Sequence, residues 1–251
     1  MSVYDNEQTL SAKNQEIELK TKSDPVRAFL QILVIFGVCF IIVIFTAQIV
    51  LRPLTIEGVS MQPTINGDYS SYQNNKKDLI YYFKTNNYTH GDIVIIDNQS
   101  EFLIKRVIAV GGETIIFRVI PGTEHYEQIG GITTLISMEM TISINRGDET
   151  TLLSESYIKE KMLFNFITPE NTNLIGQFDE YKTMDNELKN NYTYSVEIPE
   201  GSFYCMGDNR NYSYDSRCYG YFGAEKIQGE VVLHVPYGKS LFYAIWHKIF
   251  G

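Results

Sequence analysis

The chain has 251 residues, of which 44% are hydrophobic, and a formal net charge of −9. This length allows one sizeable core or two modest ones. Nucleic-acid binding is excluded, because it needs a clustered basic face and the sequence offers only short basic pairs such as Lys76-Lys77.

The N-terminal region combines a polar tail with a long apolar segment. Residues 1–27 are rich in Asn, Gln, Glu and Lys, and we predict a disordered tail. Residues 28–51 follow, with Gln31, Thr46 and Gln48 as their only polar side chains. About 24 residues rising ~1.5 Å each span ~36 Å, enough to cross a hydrocarbon core of ~30 Å. We predict a transmembrane anchor, since the segment is longer than the apolar part of a cleavable signal peptide.

Positive charges flank this segment unevenly. Lys13, Lys20, Lys22 and Arg27 precede it, whereas only Arg52 lies close behind it. Because cytoplasmic flanks of membrane spans carry the excess of Lys and Arg, the tail is predicted to be cytoplasmic. The rest of the chain is then expected on the outer face of the plasma membrane, as a single-pass protein.

Short β-branched and aromatic runs, separated by Gly, Asn and Pro, recur after the anchor and predict strands. The predicted strands cover residues 79–83, 92–96, 102–109, 114–119, 132–144, 194–198, 203–206 and 229–235. They indicate a mainly β fold, an antiparallel sheet or barrel that follows one transmembrane helix. We divide it into a first part of the β core at 52–120, an inserted α+β cap at 121–200, and a second part at 201–251. Within the cap, residues 154–189 are expected to be partly helical.

The C-terminal run, residues 241–250, leaves two interpretations open. It carries Phe242, Tyr243, Trp246 and Phe250, but ten residues are too few to cross a bilayer. Aromatic side chains next to lysines are typical of the headgroup level of a membrane, and a packed terminal turn explains the same pattern.

The positions of the cysteines and histidines give no sign of a metal site. Cys205 and Cys218 lie outside the span and either form a disulfide or pack as small apolar residues, of which the second is favoured. The four histidines are scattered without metal-ligand spacing, so we predict no metal and no cofactor.

Three segments contain the residues that indicate a chemical function. They are Gly58-Val59-Ser60-Met61-Gln62-Pro63-Thr64, the stretch from His90-Gly91-Asp92 through Lys105-Arg106-Val107 to Glu113, and Gly207-Asp208-Asn209-Arg210-Asn211-Tyr212-Ser213-Tyr214-Asp215-Ser216-Arg217. In this order, after one apolar span, they resemble the motifs of type I signal peptidases, the membrane-anchored Ser-Lys serine proteases that remove signal peptides from exported proteins. The resemblance covers the anchor, most of 54–119 and 203–235, and leaves 120–200 unassigned.

The resemblance implies a Ser-Lys dyad. A serine hydroxyl is a weak nucleophile until a base within hydrogen-bond reach takes its proton, and a lysine does this only when burial keeps it neutral. By the family pattern, Ser60 is the nucleophile and Lys105 the general base. Ser213 matches the position whose hydroxyl orients the lysine amine, and Asp215 and Arg217 match a pair that braces the loop.

One departure from the family concerns the oxyanion. The backbone N–H of Ser60 is the expected donor to the developing negative charge. Many members add a serine hydroxyl two residues before the nucleophile, where this chain has Gly58. Gly58 is therefore expected to act through backbone geometry, and the second donor stays unassigned.

The family pattern also implies the partners. The substrates are preprotein signal peptides, bound as an added strand and cut after small-x-small sites. Strands near Ser60 and residues 79–83 are candidates for that edge. The lipid bilayer and the protein-export machinery are further expected partners, and the chain is expected to be a monomer. The alternative is a catalytically silent, membrane-anchored binding or scaffold relative.

Overall fold

A computed structural model describes residues 25–66, 77–165 and 193–250 of the chain. Residues 1–24 of the predicted tail and residues 166–192 of the predicted cap lie outside the described residues, and residues 25–27 of that tail are helical. The chain divides into two compact units, Met1–Val50 and Leu51–Gly251.

The first unit contains helix α1, Pro25–Val50. Proline is favoured in the first turn of a helix because its missing N–H has no partner there in any case. The stretch Pro25–Phe45 is long and apolar enough to cross a membrane by length and composition. Its large apolar side chains are exposed along the helix, as expected of a helix that lipid solvates. The helix begins three residues before the segment predicted from hydropathy.

The second unit is built from two antiparallel sheets. Its strands are β1 Arg52–Thr55, β2 Leu79–Phe83, β3 Ile93–Asp97, β4 Phe102–Val110, β5 Thr114–Val119, β6 His125–Ile129, β7 Ile132–Arg146, β8 Glu149–Leu152, β9 Leu163–Asn165, β10 Thr193–Glu197, β11 Ser202–Met206, β12 Phe222–Gly223 and β13 Ile227–Val235. Short helices α2, Ser216–Tyr219, and α3, Leu241–Phe250, complete it, with a 3₁₀ turn at Ala224–Lys226. The predicted mainly β, antiparallel fold is confirmed.

The first sheet has the order β1-β2-β13-β3-β4-β11-β12. Alternate residues of β3 enter different clusters, with Val94 and Ile96 in one and Ile95 in another. Because successive strand residues point to opposite faces, this sheet is buried on both sides at β3. Its central strands therefore form a rigid support for side chains that they carry.

The second sheet has the order β10-β5-β7-β6. Strands β8 and β9 pair with β7 as well. Phe117 and Ile144 of this sheet pack in one cluster with Ile108 and Tyr204 of the first sheet. Residues 154–165 contain β9 and no helix, so the described part of the segment predicted as partly helical is not helical. The domain boundaries given above stay predictions.

Two smaller questions from the sequence have answers in the fold. Cys205 and Cys218 are free thiols, and Cys205 is fully buried beside Val107 and Phe203. The packed interpretation therefore holds for Cys205. The C-terminal run is a helix rather than a turn.

Candidate active site

The segment that carries Ser60 is a turn that hydrogen bonds hold at both ends. It follows β1 and passes through Gly58, whose φ of +95° lies in the left-handed region that favours glycine. The side-chain amide of Asn66 donates to Ile56 O at 3.0 Å and to Gly58 O at 2.9 Å. Asn66 Oδ1 accepts from the Asp78 N–H at 2.9 Å, which links the turn to β2. This backbone conformation explains why position 58 is a glycine, because a serine there would be strained.

Lys105 reaches this turn from β4. Lys105 is buried, with only 3% of its surface exposed. Lys105 Nζ lies 2.9 Å from Ser60 Oγ and donates to Ile104 O at 2.8 Å. Burial lowers the pKa of Lys105 from 10.5 to about 8, against the opposing charge of Asp215. The two residues are therefore at hydrogen-bond distance, and the neutral amine is accessible near physiological pH.

The loop after β11 holds the turn that carries Ser60 from the other side. The Asn209 N–H donates to Ser60 O at 3.0 Å, and its side-chain amide donates to Val59 O at 3.1 Å. A Cβ at Gly207 would lie 2.4 Å from Ser60 O and 2.2 Å from Ser213 Oγ. Only glycine allows this close approach of the two loops.

Ser213 lies buried against the same glycine. Among the described residues its hydroxyl has no hydrogen-bond partner of good geometry, although it lies close enough to Asp215 to favour the carboxylate form and so lower that pKa. The hydrogen bonds of Lys105 Nζ go to Ser60 and Ile104. The structure therefore places Ser213 at the site without joining it directly to Lys105.

Asp215 and Arg217 form a buried pair rather than a surface salt bridge. Asp215 is fully buried and receives Arg217 Nε at 2.9 Å on one oxygen and Arg217 Nη2 at 2.8 Å on the other. Its Oδ2 also accepts from the Gly207 N–H at 3.0 Å. Burial alone favours the protonated acid, but the charge and hydrogen bonds of Arg217 outweigh it and keep the pKa of Asp215 below its usual value. The pair fixes the start of the loop that carries Asn209.

A second ion pair was not predicted from the sequence. Arg106 binds Asp208 in a bidentate manner, with Nε to Oδ1 at 2.9 Å and Nη2 to Oδ2 at 2.6 Å. Thr64 Oγ1 donates to the same carboxylate at 2.6 Å. Asp208 therefore joins three elements of the site, namely the turn that carries Ser60, β4 and the loop after β11. The only sequence signal was the presence of Arg106 and Asp208 inside the conspicuous motifs.

The segment before β9 packs onto this site as well. Arg210 Nη2 donates to Glu155 at 2.5 Å, and Arg106 stacks over the Tyr157 ring at 4.0 Å. The side chain of Asn211 binds backbone groups of Lys161 and Leu163. Residues that the sequence left without a role thus form one wall of the site.

Comparison with known proteins identifies the family of this chain. The chain matches the protein family described as signal peptidase, peptidase S26, over residues 29–236. Signal peptidase IB of Staphylococcus aureus is 24% identical over 206 residues, which cover 82% of this chain and 88% of that protein. Signal peptidase I of Aquifex aeolicus is 25% identical over 213 residues, with coverages of 78% and 80%. A solved signal peptidase I from Enterococcus faecalis aligns with a TM-score of 0.31 at 18% identity, over 59% of this chain and all of that one.

Proposed function

The chain belongs to the signal peptidase family, peptidase S26, and we propose that it is a membrane-anchored endopeptidase in which Ser60 and Lys105 form the catalytic dyad. The observation that carries this proposal is the 2.9 Å separation of Lys105 Nζ from Ser60 Oγ, at a lysine that burial makes easier to deprotonate. Family membership supports the removal of signal peptides as the reaction.

The proposed reaction has two stages. Neutral Lys105 takes the Ser60 proton while Ser60 Oγ attacks the carbonyl carbon of the scissile bond. Lys105 then gives that proton to the leaving amine, and an ester joins Ser60 to the signal peptide. A water molecule, deprotonated by the same amine, attacks the ester, after which Ser60 recovers its proton. The hydrogen bond from Lys105 Nζ to Ile104 O holds the amine next to Ser60 Oγ.

The remaining residues act on geometry and charge. The Ser60 N–H is the proposed donor to the oxyanion, and the hydrogen bond from Asn66 to Gly58 O holds the backbone that presents it. Ser213 is proposed as a positioning residue next to the dyad. Asp215 and Arg217 are proposed to hold the loop at Gly207, which in turn limits the movement of Ser60.

The sheet edges limit where a substrate strand pairs. Strand β2, residues 79–83, pairs with β1 on one side and β13 on the other, so that it has no free edge. Strand β1 lies at the edge of its sheet and leads into the turn that carries Ser60. A cavity of about 410 Å³ opens beside that turn, lined by Val59, Gln62, Glu160, Asn209 and Tyr212. The preprotein is proposed to use these features, with small side chains on the signal-peptide side of the cut.

The proposed partners and location follow from the family and from α1. Helix α1 is proposed to span the plasma membrane once, with the N-terminus in the cytoplasm and the second unit outside. The lipid bilayer and preproteins are then its immediate partners. Contact with the export machinery and a monomeric state also remain proposals.

The test is cleavage of a preprotein by the full chain in lipid vesicles. We expect one cut after the second alanine of an Ala-x-Ala site, because the proposed sites accept only small side chains there. N-terminal sequencing of the product identifies the bond. The matched substrate replaces the alanine before the cut by leucine and should stay intact. A preprotein that binds without being cut would favour a catalytically silent relative, and cutting at several unrelated bonds would contradict the specificity.

A further inference from the structure

Helix α3 presents its largest apolar side chains to solvent. Phe242 is 73% and Phe250 68% exposed, and Trp246 and Ile249 are exposed as well. Spacings of three and four residues place these side chains on one face of the helix. The rings of Trp246 and Phe250 lie 4.5 Å apart, and those of Phe242 and Trp246 lie 6.3 Å apart. The apolar face of this helix therefore points away from the domain, opposite to the usual arrangement.

The helix is nevertheless fixed to the domain. Ala244 is 4% exposed and faces inward. Ser240 Oγ accepts a hydrogen bond from the Tyr243 N–H at 3.1 Å and so caps the first turn. Lys248 Nζ donates to Val232 O, which joins the last turn to β13. Helix α3 is therefore held against the domain, and its apolar face has no protein partner among the residues that the structure describes.

The pairing of strands relates α3 to the start of the domain. Val231 of β13 is in register with Tyr82 of β2, and Tyr82 with Arg52 of β1. Two strand spacings of ~4.8 Å separate β13 from β1. Through its bond to Val232, the last turn of α3 is therefore joined to the end of the sheet where β1 begins. Arg52, the first residue of β1, lies two positions after Val50, the last residue of α1.

The charges next to this face suit an anionic surface. Lys239 precedes the apolar residues, and no acidic residue occurs between Pro236 and Phe250 in a chain whose net charge is −9. Tryptophan and tyrosine favour the headgroup level of a bilayer. Ten residues rising ~1.5 Å each reach only ~15 Å, too short to cross a hydrocarbon core of ~30 Å.

We propose that α3 is an interfacial membrane helix, whose face of Phe242, Trp246, Ile249 and Phe250 lies in the headgroup region of an anionic bilayer. Together with α1 it attaches the catalytic unit to the membrane at two points, which restricts the height of Ser60 above the lipid. The proposal rests on the membrane anchoring in the proposed function and is independent of Ser60 and Lys105.

Trp246 is the only tryptophan of the chain and therefore reports on α3 directly. The full chain is placed in vesicles of phosphatidylcholine and phosphatidylglycerol whose acyl chains are brominated either near the headgroup or near the end. At a depth of ~5 to 10 Å, we expect the shallow bromines to lower Trp246 fluorescence about twofold and the deep ones much less. Aqueous acrylamide should have little effect. Strong acrylamide quenching without bromolipid quenching would overturn the proposal.

A second measurement separates lipid from a protein partner. In nanodiscs that hold one chain each, bromolipid quenching should persist. If Trp246 is shielded from acrylamide in vesicles but exposed in these nanodiscs, a second copy covers the face and the proposal fails.

Two variants of the full chain complete the test. Ile249→Glu places a charge on the exposed face and should at least halve the quenching, whereas Thr150→Glu, an exposed change on β8, should leave it unchanged. Equal quenching in both variants would overturn the proposal. Ser60→Ala separates the two proposals, since it should keep full quenching whether or not the parent chain cleaves preproteins.

Discussion

Replacing Lys105 by methionine should reduce kcat/KM for signal-peptide cleavage by about 10² to 10⁴-fold, because the proposed general base is lost. Replacing Ser60 by alanine should leave no acylation at all. Neither change should unfold the protein. Lowering the pKa of the buried Lys105 from 10.5 to about 8 corresponds to about 3 kcal/mol of destabilisation of its charged form, so methionine should keep or raise the melting temperature. Cleavage assays and thermal unfolding, both in one lipid or detergent, check these results.

Two further variants sharpen this prediction. Lys105→Arg keeps a cation but stays protonated at every accessible pH, so it should be as inactive as the methionine variant. Arg118→Met removes an exposed cation of β5 and should cleave at the parental rate. Near-parental activity in Lys105→Met would show that another group takes the Ser60 proton.

Replacing Arg217 by methionine should lower the free energy of unfolding by about 3–5 kcal/mol, because it leaves the fully buried carboxylate of Asp215 without its cation. Activity should fall too, since Asp215 holds Gly207 and the loop that contacts Ser60. The double variant Asp215→Asn with Arg217→Met should regain much of the stability, because no buried charge is left unpaired. Urea unfolding followed by circular dichroism gives these free energies.

The surface pair of Lys161 and Glu139 is the matched control for this prediction. Its lysine is largely exposed, so Lys161→Met should change stability by only ~0 to 1 kcal/mol. If Arg217→Met destabilises the fold no more than this control, the buried pair does not brace the site.

The sequence predicted strands with buried side chains and also β10, whose side chains alternate between exposed and half-buried. Residues 79–83, 102–109 and 114–119 consist mainly of β-branched, aliphatic and aromatic residues, and they coincide closely with β2, β4 and β5. Strand β1 was missed because it contains Arg52 and Pro53, and proline is accepted only at a sheet edge. Strand β6 was missed because its mostly polar residues belong to an exposed hairpin.

The candidate site shows a different limit. Motif order selected Ser60 and Lys105 as candidates, and the fold brings Ser60 Oγ and Lys105 Nζ, 45 positions apart in the chain, to 2.9 Å. The burial of Lys105 and the link from Thr64 through Asp208 to Arg106 depend on strand packing that no local pattern encodes. The roles of Glu155 and Tyr157 were out of reach for the same reason.

The dyad as a whole is best tested by the pH dependence of kcat/KM in the unaltered protein. Only neutral Lys105 accepts the Ser60 proton, and its lowered pKa of about 8 sets the pH at which half of the lysines are neutral. Activity should therefore rise through an acidic limb centred near pH 8 and fall about tenfold for each pH unit below it. A rate that stays constant from about pH 8 down to about pH 6, with preprotein binding unchanged, would contradict a neutral lysine as the base.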